Sequence, residues 1–208
     1  MSTVIHHSHA GDDFSIPYAK RGPADTRVLV GYGFWLFLLT DIIIFSAMFA
    51  SYAVLVNHTA GGPKGIQLFD RSDVLLETAF LLFSSFTCGI MALASTAENR
   101  MHTYMAAFVT FILGTGFLVL EIMEFSHMVS IGAGPSRSAF LSAFFGLVGM
   151  HGFHVFLGLI WLFIMMLQVK TIGFSQMVQR RLHCFNLFWH ALDIVWIGVF
   201  TIVYLGAK

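Results

Sequence analysis

Charge is what this sequence has least of. Of 208 residues only 11% are charged, with 11 Lys or Arg set against 11 Asp or Glu, so the formal net charge is zero. Without a basic excess there is no electrostatic footprint for nucleic acid. Cysteine is nearly absent too. Cys88 and Cys184 have no second pair and no metal-type spacing, which excludes a disulfide framework and leaves two buried thiols behaving as small hydrophobes. The first residues lack the short apolar core and small-residue cleavage site of a secretory signal, and no repeat of fixed period is evident. The paired short or broken helices of inverted-repeat transporters are missing as well.

What fills the chain is apolar. Hydrophobic residues make up 57%, 23 residues are Phe, and the mean hydropathy is +0.80. A soluble fold of this size has too little interior to hide that surface. An integral membrane protein is therefore expected, all-α, with a bundle of five transmembrane helices over residues 28–208 at about 28–56, 74–94, 103–128, 138–169 and 184–205. Each run reaches the ~20 residues needed to cross ~30 Å of hydrocarbon. Residues 1–27 read as a retained polar tail whose His6, His7 and His9 are solvated rather than metal-binding. The connections carry Gly61-Gly62-Pro63, Glu98-Asn99-Arg100, Gly132-Ala133-Gly134-Pro135 and the polar stretch 170–181, all helix-closing signals. Their shortness predicts antiparallel neighbours. On one side lie Lys20, Arg21, Arg27, Arg100, Lys170, Arg180 and Arg181, and on the other Lys64, Arg71, Arg137 and Lys208. The positive-inside rule then places the N-terminus in the cytoplasm and the C-terminus outside.

No Lys or Arg lies well inside any span, yet five acids do: Asp41, Glu77, Glu121, Glu124 and Asp193. An ionised carboxylate at the bilayer centre costs from about 3 to more than 10 kcal/mol depending on the scale. Each must face protein, be paired, or be neutral. The only basic candidates are His127, His151, His154 and His190, with Ser, Thr, Tyr and backbone groups besides. Asp41 and Asp193 fall near mid-membrane. Glu121 and Glu124 share a helix face and could meet Glu77 on the antiparallel neighbour. A proton relay and a set of neutral, hydrogen-bonded acids that lock helices together both fit this pattern.

Histidine supplies the other polar pairs. His151 and His154 share one face of the fourth span, and His190 and Asp193 one face of the fifth, with Trp189 and Trp196 on a stripe beside them. Interhelical hydrogen bonding and a four-residue metal or haem site are the two readings of these pairs. Gly146, Gly149 and Gly152, with Gly114 and Gly116, mark surfaces where backbones come close. Phe34, Phe37, Phe45 and Phe49 read as packing and lipid-facing surface.

Several of these motifs occur together in one known family. Trp189-His190-Ala191-Leu192-Asp193-Ile194-Val195-Trp196 resembles the Trp-His-x-x-Asp-Val-Val-Trp signature of the third subunit of haem-copper respiratory oxidases, and His151-Gly152-Phe153-His154-Val155 its His-Gly-x-His-Val motif. Glu124 stands where the family carries a buried Glu, and Asp41 where it carries a carbodiimide-reactive Glu. The loop Thr59-Ala60-Gly61-Gly62-Pro63-Lys64-Gly65, the stretch 134–145 and the five spans resemble the bo-type ubiquinol oxidase branch, since cytochrome c oxidase relatives usually have seven.

The resemblance implies a non-catalytic subunit with no catalytic residue and no metal of its own. It implies partners as well: a catalytic haem-copper subunit I, a subunit II and a small subunit IV in a bacterial cytoplasmic membrane. Haem, copper and ubiquinone would belong to the complex, which would oxidise ubiquinol, reduce oxygen to water and move protons outward. Membrane lipid, including a structural phospholipid, would be a further partner. Two rivals from other classes are an autonomous proton-coupled transporter using the buried acids, and an intramembrane metalloenzyme built on His151, His154, His190 and Asp193.

Overall fold

The computed structural model describes residues 26–59 and 71–206. The expected tail and its His cluster, Lys64, most of the loop motif 59–65 and Lys208 lie outside the described residues. Within them the chain is helical, without strands, and five helices are long and apolar enough to cross a membrane. They are α1 (Thr26–Leu55), α2 (Arg71–Thr96), α3 (Arg100–Ser130), α4 (Ala139–Thr171) and α5 (Gln176–Val199). The last of them runs on into a π-helical turn over Phe200–Leu205.

The helix starts follow from side-chain chemistry. Asn99, Ser138 and Ser175 adopt extended backbone and accept from the N–H of His102, Leu141 and Val178 at 3.3, 3.2 and 3.3 Å, so each covers an amide that the helix itself leaves open. Two of the turns need glycine. Gly132 and Gly173 have φ of 76° and 73°, in the left-handed region that other residues enter at a cost. Gly132 lets the Ala133 N–H return to the Met128 carbonyl at 2.9 Å and close α3.

The cap at Ser175 also explains why α5 begins at Gln176, well before the apolar run that starts near Cys184. Hydropathy marks where lipid begins, whereas a capped helix continues through the interface into water. Replacing Ser175 by Ala should cost about 1 kcal/mol, read as a lower midpoint when the chain is unfolded by sodium dodecyl sulfate in mild-detergent micelles. An unchanged midpoint would show that the cap contributes nothing.

Helices α2, α3, α4 and α5 pack as a closed ring, each against the next and α5 against α2. The expectation that consecutive spans are neighbours fails for α1. It packs on α4 and α5, and its exit touches the start of α4, where the Phe140 N–H donates to the His58 carbonyl at 3.3 Å. Only one stripe of α1 is buried: Leu38, Phe45 and Tyr52, seven residues apart. That interval repeats one face of a helix at every second turn. Ile42, Ile43 and Trp35 face outward.

Candidate functional site

Helices α2 and α5 meet along a seam of hydrogen bonds at membrane depth. Ascending α5, Cys88 Sγ donates to Asn186 Oδ1 at 3.4 Å and Trp189 Nε1 donates to Ser84 Oγ at 3.0 Å. His190 Nδ1 then shares a hydrogen with Ser85 Oγ at 2.6 Å, and Trp196 Nε1 donates to Thr78 Oγ1 at 3.1 Å. From Asn186 to Trp196 on α5 the partners run from Cys88 back to Thr78 on α2, the register of two antiparallel helices. Such bonds contribute ~0.6 kcal/mol each on average in lipid. Their larger effect is to fix the rotation of both helices.

The two tryptophans are structural. Trp189 is 1% exposed, and its ring lies so close to α3 and α4 that a Cβ at Gly114 or Gly158 would come within 2.9 Å of it. Trp196 stacks edge-to-face on Phe117 with centroids 4.7 Å apart. Of the glycines expected to bring helices together, Gly149 faces Phe125 and Gly152 faces the Glu121 carboxyl. Gly146 is a correction: a Cβ there meets nothing within 4 Å, because it points away from every neighbouring helix. A second close approach on α4 is at Gly158, outside the 146/149/152 series, where a Cβ would meet the Trp189 ring at 2.9 Å.

Glu77, Glu121 and Glu124 do converge. They come from α2 and α3 and lie near enough to interact electrostatically, with Asp73 from the first turn of α2 at the edge. Tyr204, carried inward by the π-helical turn, donates to Glu124 Oε2 at 3.0 Å. Glu77 and Glu121 are buried; one oxygen of the first and both of the second have no hydrogen-bond partner among the described residues.

The histidine pair of α4 divides. His151 is completely buried, and neither ring nitrogen has a hydrogen-bond partner among the described residues. It packs as an aromatic, 5.1 Å from Trp196, 5.7 Å from Phe117 and 6.4 Å from Phe45 between centroids. His154 uses Nδ1 on the Met150 carbonyl at 2.8 Å and turns Nε2 toward Asp41 Oδ1 at 3.8 Å. Asp41 and His154 thus tie α1 to α4. The metalloenzyme reading does not fit this arrangement. His151 and His154 face Trp196, Phe117 and α1, while His190 and Asp193 face Ser85 and the outer side of the α2/α5 seam. Among the described residues, no three His, Cys, Asp or Glu side chains gather as metal ligands.

The residues that complete the site, Ser84, Ser85, Thr78 and Tyr204, carry no signal of their own in the sequence. A hydroxyl in an apolar helix bonds its own backbone at no cost, as Thr40 and Ser46 do here, and only the register with α5 picks out the ones that matter.

A His/Trp seam joins α2 to α5 beside a cluster of carboxyl groups from α2 and α3. The cytochrome c oxidase subunit III family profile matches residues 19–208, which contain every helix and every residue of the site. The chain belongs to that family. Among its subunit III relatives, the cytochrome bo(3) ubiquinol oxidase subunit 3 of Pseudomonas aeruginosa is 47% identical over 205 residues, covering 99% of this chain and 98% of the relative. The quinol oxidase subunit 3 of Bacillus subtilis is 40% identical over 200 residues, 96% of each chain. The cytochrome c oxidase subunit 3 of Bacillus sp. strain PS3 is 39% identical over 203 residues, 95% of this chain and 97% of the relative. The α2/α5 seam joins two helices of this subunit III chain, and the Asp41/His154 pair joins α1 to α4.

Proposed function

We propose that this chain is the non-catalytic third subunit of a proton-pumping bo-type ubiquinol oxidase, stabilising the catalytic subunit in a complex that oxidises ubiquinol and reduces oxygen to water. The observation that carries the reading is 47% identity along nearly the whole of both chains to a bo(3) ubiquinol oxidase subunit 3. The geometry supports an accessory role, because Asn186, Trp189, His190 and Trp196 of α5 are bonded to α2, and Tyr204 to Glu124 of α3. Haem, copper and ubiquinone belong to the partner subunits in this reading. The partners are a haem-copper subunit I, a subunit II and a small subunit IV. The membrane is the bacterial cytoplasmic membrane, with the N-terminus in the cytoplasm and the C-terminus in the periplasm, as the Lys and Arg distribution suggests. Asp41, Glu77, Glu121, Glu124, His151, His154, His190 and Asp193 hold helices together and buffer protons, while Trp189, Trp196, Gly149 and Gly152 form packing surfaces.

The test is purification in mild detergent through a tag on this chain, with an optical spectrum and identification of what comes with it. Haem-containing subunits should co-purify, and the preparation should oxidise ubiquinol and leave reduced cytochrome c untouched. Oxidation of cytochrome c instead would move the chain to the branch of the PS3 relative. A colourless chain that comes out alone and moves protons in liposomes would sink the subunit reading in favour of a transporter.

A further inference from the structure

Where α3 begins and α4 ends, at one membrane edge of the bundle, two cationic side chains stand over a groove of about 420 Å³. It is lined by Arg100 and Met101 of the first turn of α3, Tyr104 one turn further on, and Val169 and Lys170 of the last turn of α4. Among the described residues neither cation has an acid within ion-pairing distance. Glu98, two residues before Arg100, turns to α5 instead and accepts from Gln179 at 3.3 Å. Arg181, at the same edge, is bonded to Gln168 at 3.0 Å. The Arg100 guanidinium is nonetheless held in place. It lies against the turn between α4 and α5 at Gly173, whose φ of 73° and missing side chain leave it room, since a Cβ there would overlap the guanidinium. Both charges therefore face one groove.

The lining selects an amphiphile. A guanidinium beside an ammonium suits the oxygens of a phosphate. A free phosphate would use only that rim, yet the surface that leads from it into the bilayer is apolar. Val169 is buried at its floor, Met101 is 68% exposed, and Phe108 and Phe163 are exposed further down. Phe108 lies one turn below Tyr104 and Phe163 two turns below Lys170, so both continue the faces that line the groove. Phosphate at the edge with hydrocarbon beneath it is the layout of a phospholipid. A zwitterionic headgroup would bring a third cation to the two already there, so a lipid of net negative charge fits better. Basic pockets between membrane helices bind such headgroups.

We propose that the α3/α4 groove binds one anionic phospholipid, with its phosphate between Arg100 and Lys170 and its acyl chains along Tyr104, Phe108 and Phe163. The site goes beyond the oxidase-subunit reading and does not rest on it, because every residue that forms it belongs to this chain.

The test is native mass spectrometry of the full chain in mild detergent, titrated with phosphatidylglycerol and, separately, with phosphatidylcholine. Phosphatidylglycerol should fill one saturable site, and phosphatidylcholine should bind about tenfold more weakly. Lys170→Gln changes an exposed residue and should fold as the parent does, while weakening phosphatidylglycerol about fivefold. Adding Arg100→Gln should remove the preference over phosphatidylcholine. Arg180→Gln, at the same edge but outside the lining, should leave binding unchanged. Equal binding of the two lipids, no effect of Lys170→Gln, or an equal loss from Arg180→Gln would overturn the site. Displacement of the lipid by inorganic phosphate would overturn it in favour of a free anion. Binding about tenfold tighter once residues 1–25 are removed would overturn it in favour of that segment as the occupant. Haem-containing partners that fail to co-purify would sink the oxidase reading and leave these lipid measurements standing.

Discussion

Trp189→Ala is expected to lower the stability of the bundle by about 3–5 kcal/mol. The indole is 1% exposed at the point where α3, α4 and α5 meet, between Gly114 and Gly158, with the Phe185 ring centroid 5.5 Å away and Nε1 bonded to Ser84. Inside a bilayer the loss is not one of shielding from water. Lipid tails are as apolar as the core, so what disappears is the dense set of contacts around a large ring, along with one interhelical hydrogen bond. The cavity sits among three backbones that glycine has already brought together, and they have little left to collapse with. Trp189→Phe, which keeps part of the ring and loses the N–H, should fall well short of the alanine variant. Unfolding of the detergent-solubilised chain by sodium dodecyl sulfate, followed by far-ultraviolet circular dichroism, gives the comparison without relying on tryptophan fluorescence. A loss under ~1 kcal/mol for the alanine variant would show that the slot closes around the gap.

The glycines of α4 should separate just as sharply. Gly158→Ala places a methyl 2.9 Å from the Trp189 ring and 3.2 Å from Phe188. The ring cannot retreat, since Gly114 holds its other edge and Ser84 its nitrogen, so overpacking should cost about 1–3 kcal/mol. The same substitution at Gly146 meets open space and should be neutral or stabilising by up to ~1 kcal/mol, because alanine is the better helix former. Combining Gly158→Ala with Trp189→Ala should cost less than the sum of the two, the excess being the contact between them. Equal effects at positions 146 and 158 would contradict the packing described above.

Those two glycines show where reading from residues alone stops. Gly146, Gly149 and Gly152 form a regular series in the sequence, and the regularity says that they share part of a helix surface. It does not say which part faces a neighbour: Gly146 faces none, Gly152 meets the Glu121 carboxyl, and Gly158, outside the series, meets the Trp189 ring. The acids behaved differently. Glu121 and Glu124 lie on one face and Glu77 lies on the next helix of an antiparallel hairpin, so their meeting follows from helical period and short-loop topology alone. His151 and His154 share a face as their spacing requires, yet one packs among aromatic rings and the other pairs with Asp41 on α1. That division depends on where α1 lies, and α1 departs from the nearest-neighbour order.

What the sequence determined by itself is local: the membrane class, five crossing helices, and which polar residues share a helix face. Hydropathy, length and a 3.6-residue period are properties of single segments, so they survive without knowledge of any other segment. Only the tertiary structure decided the partners, pairing Ser84 with Trp189, Ser85 with His190, Thr78 with Trp196 and Tyr204 with Glu124. Partnership depends on the rotation and axial register of one helix against another, and these are set jointly by every contact along the bundle rather than by any one stretch of chain.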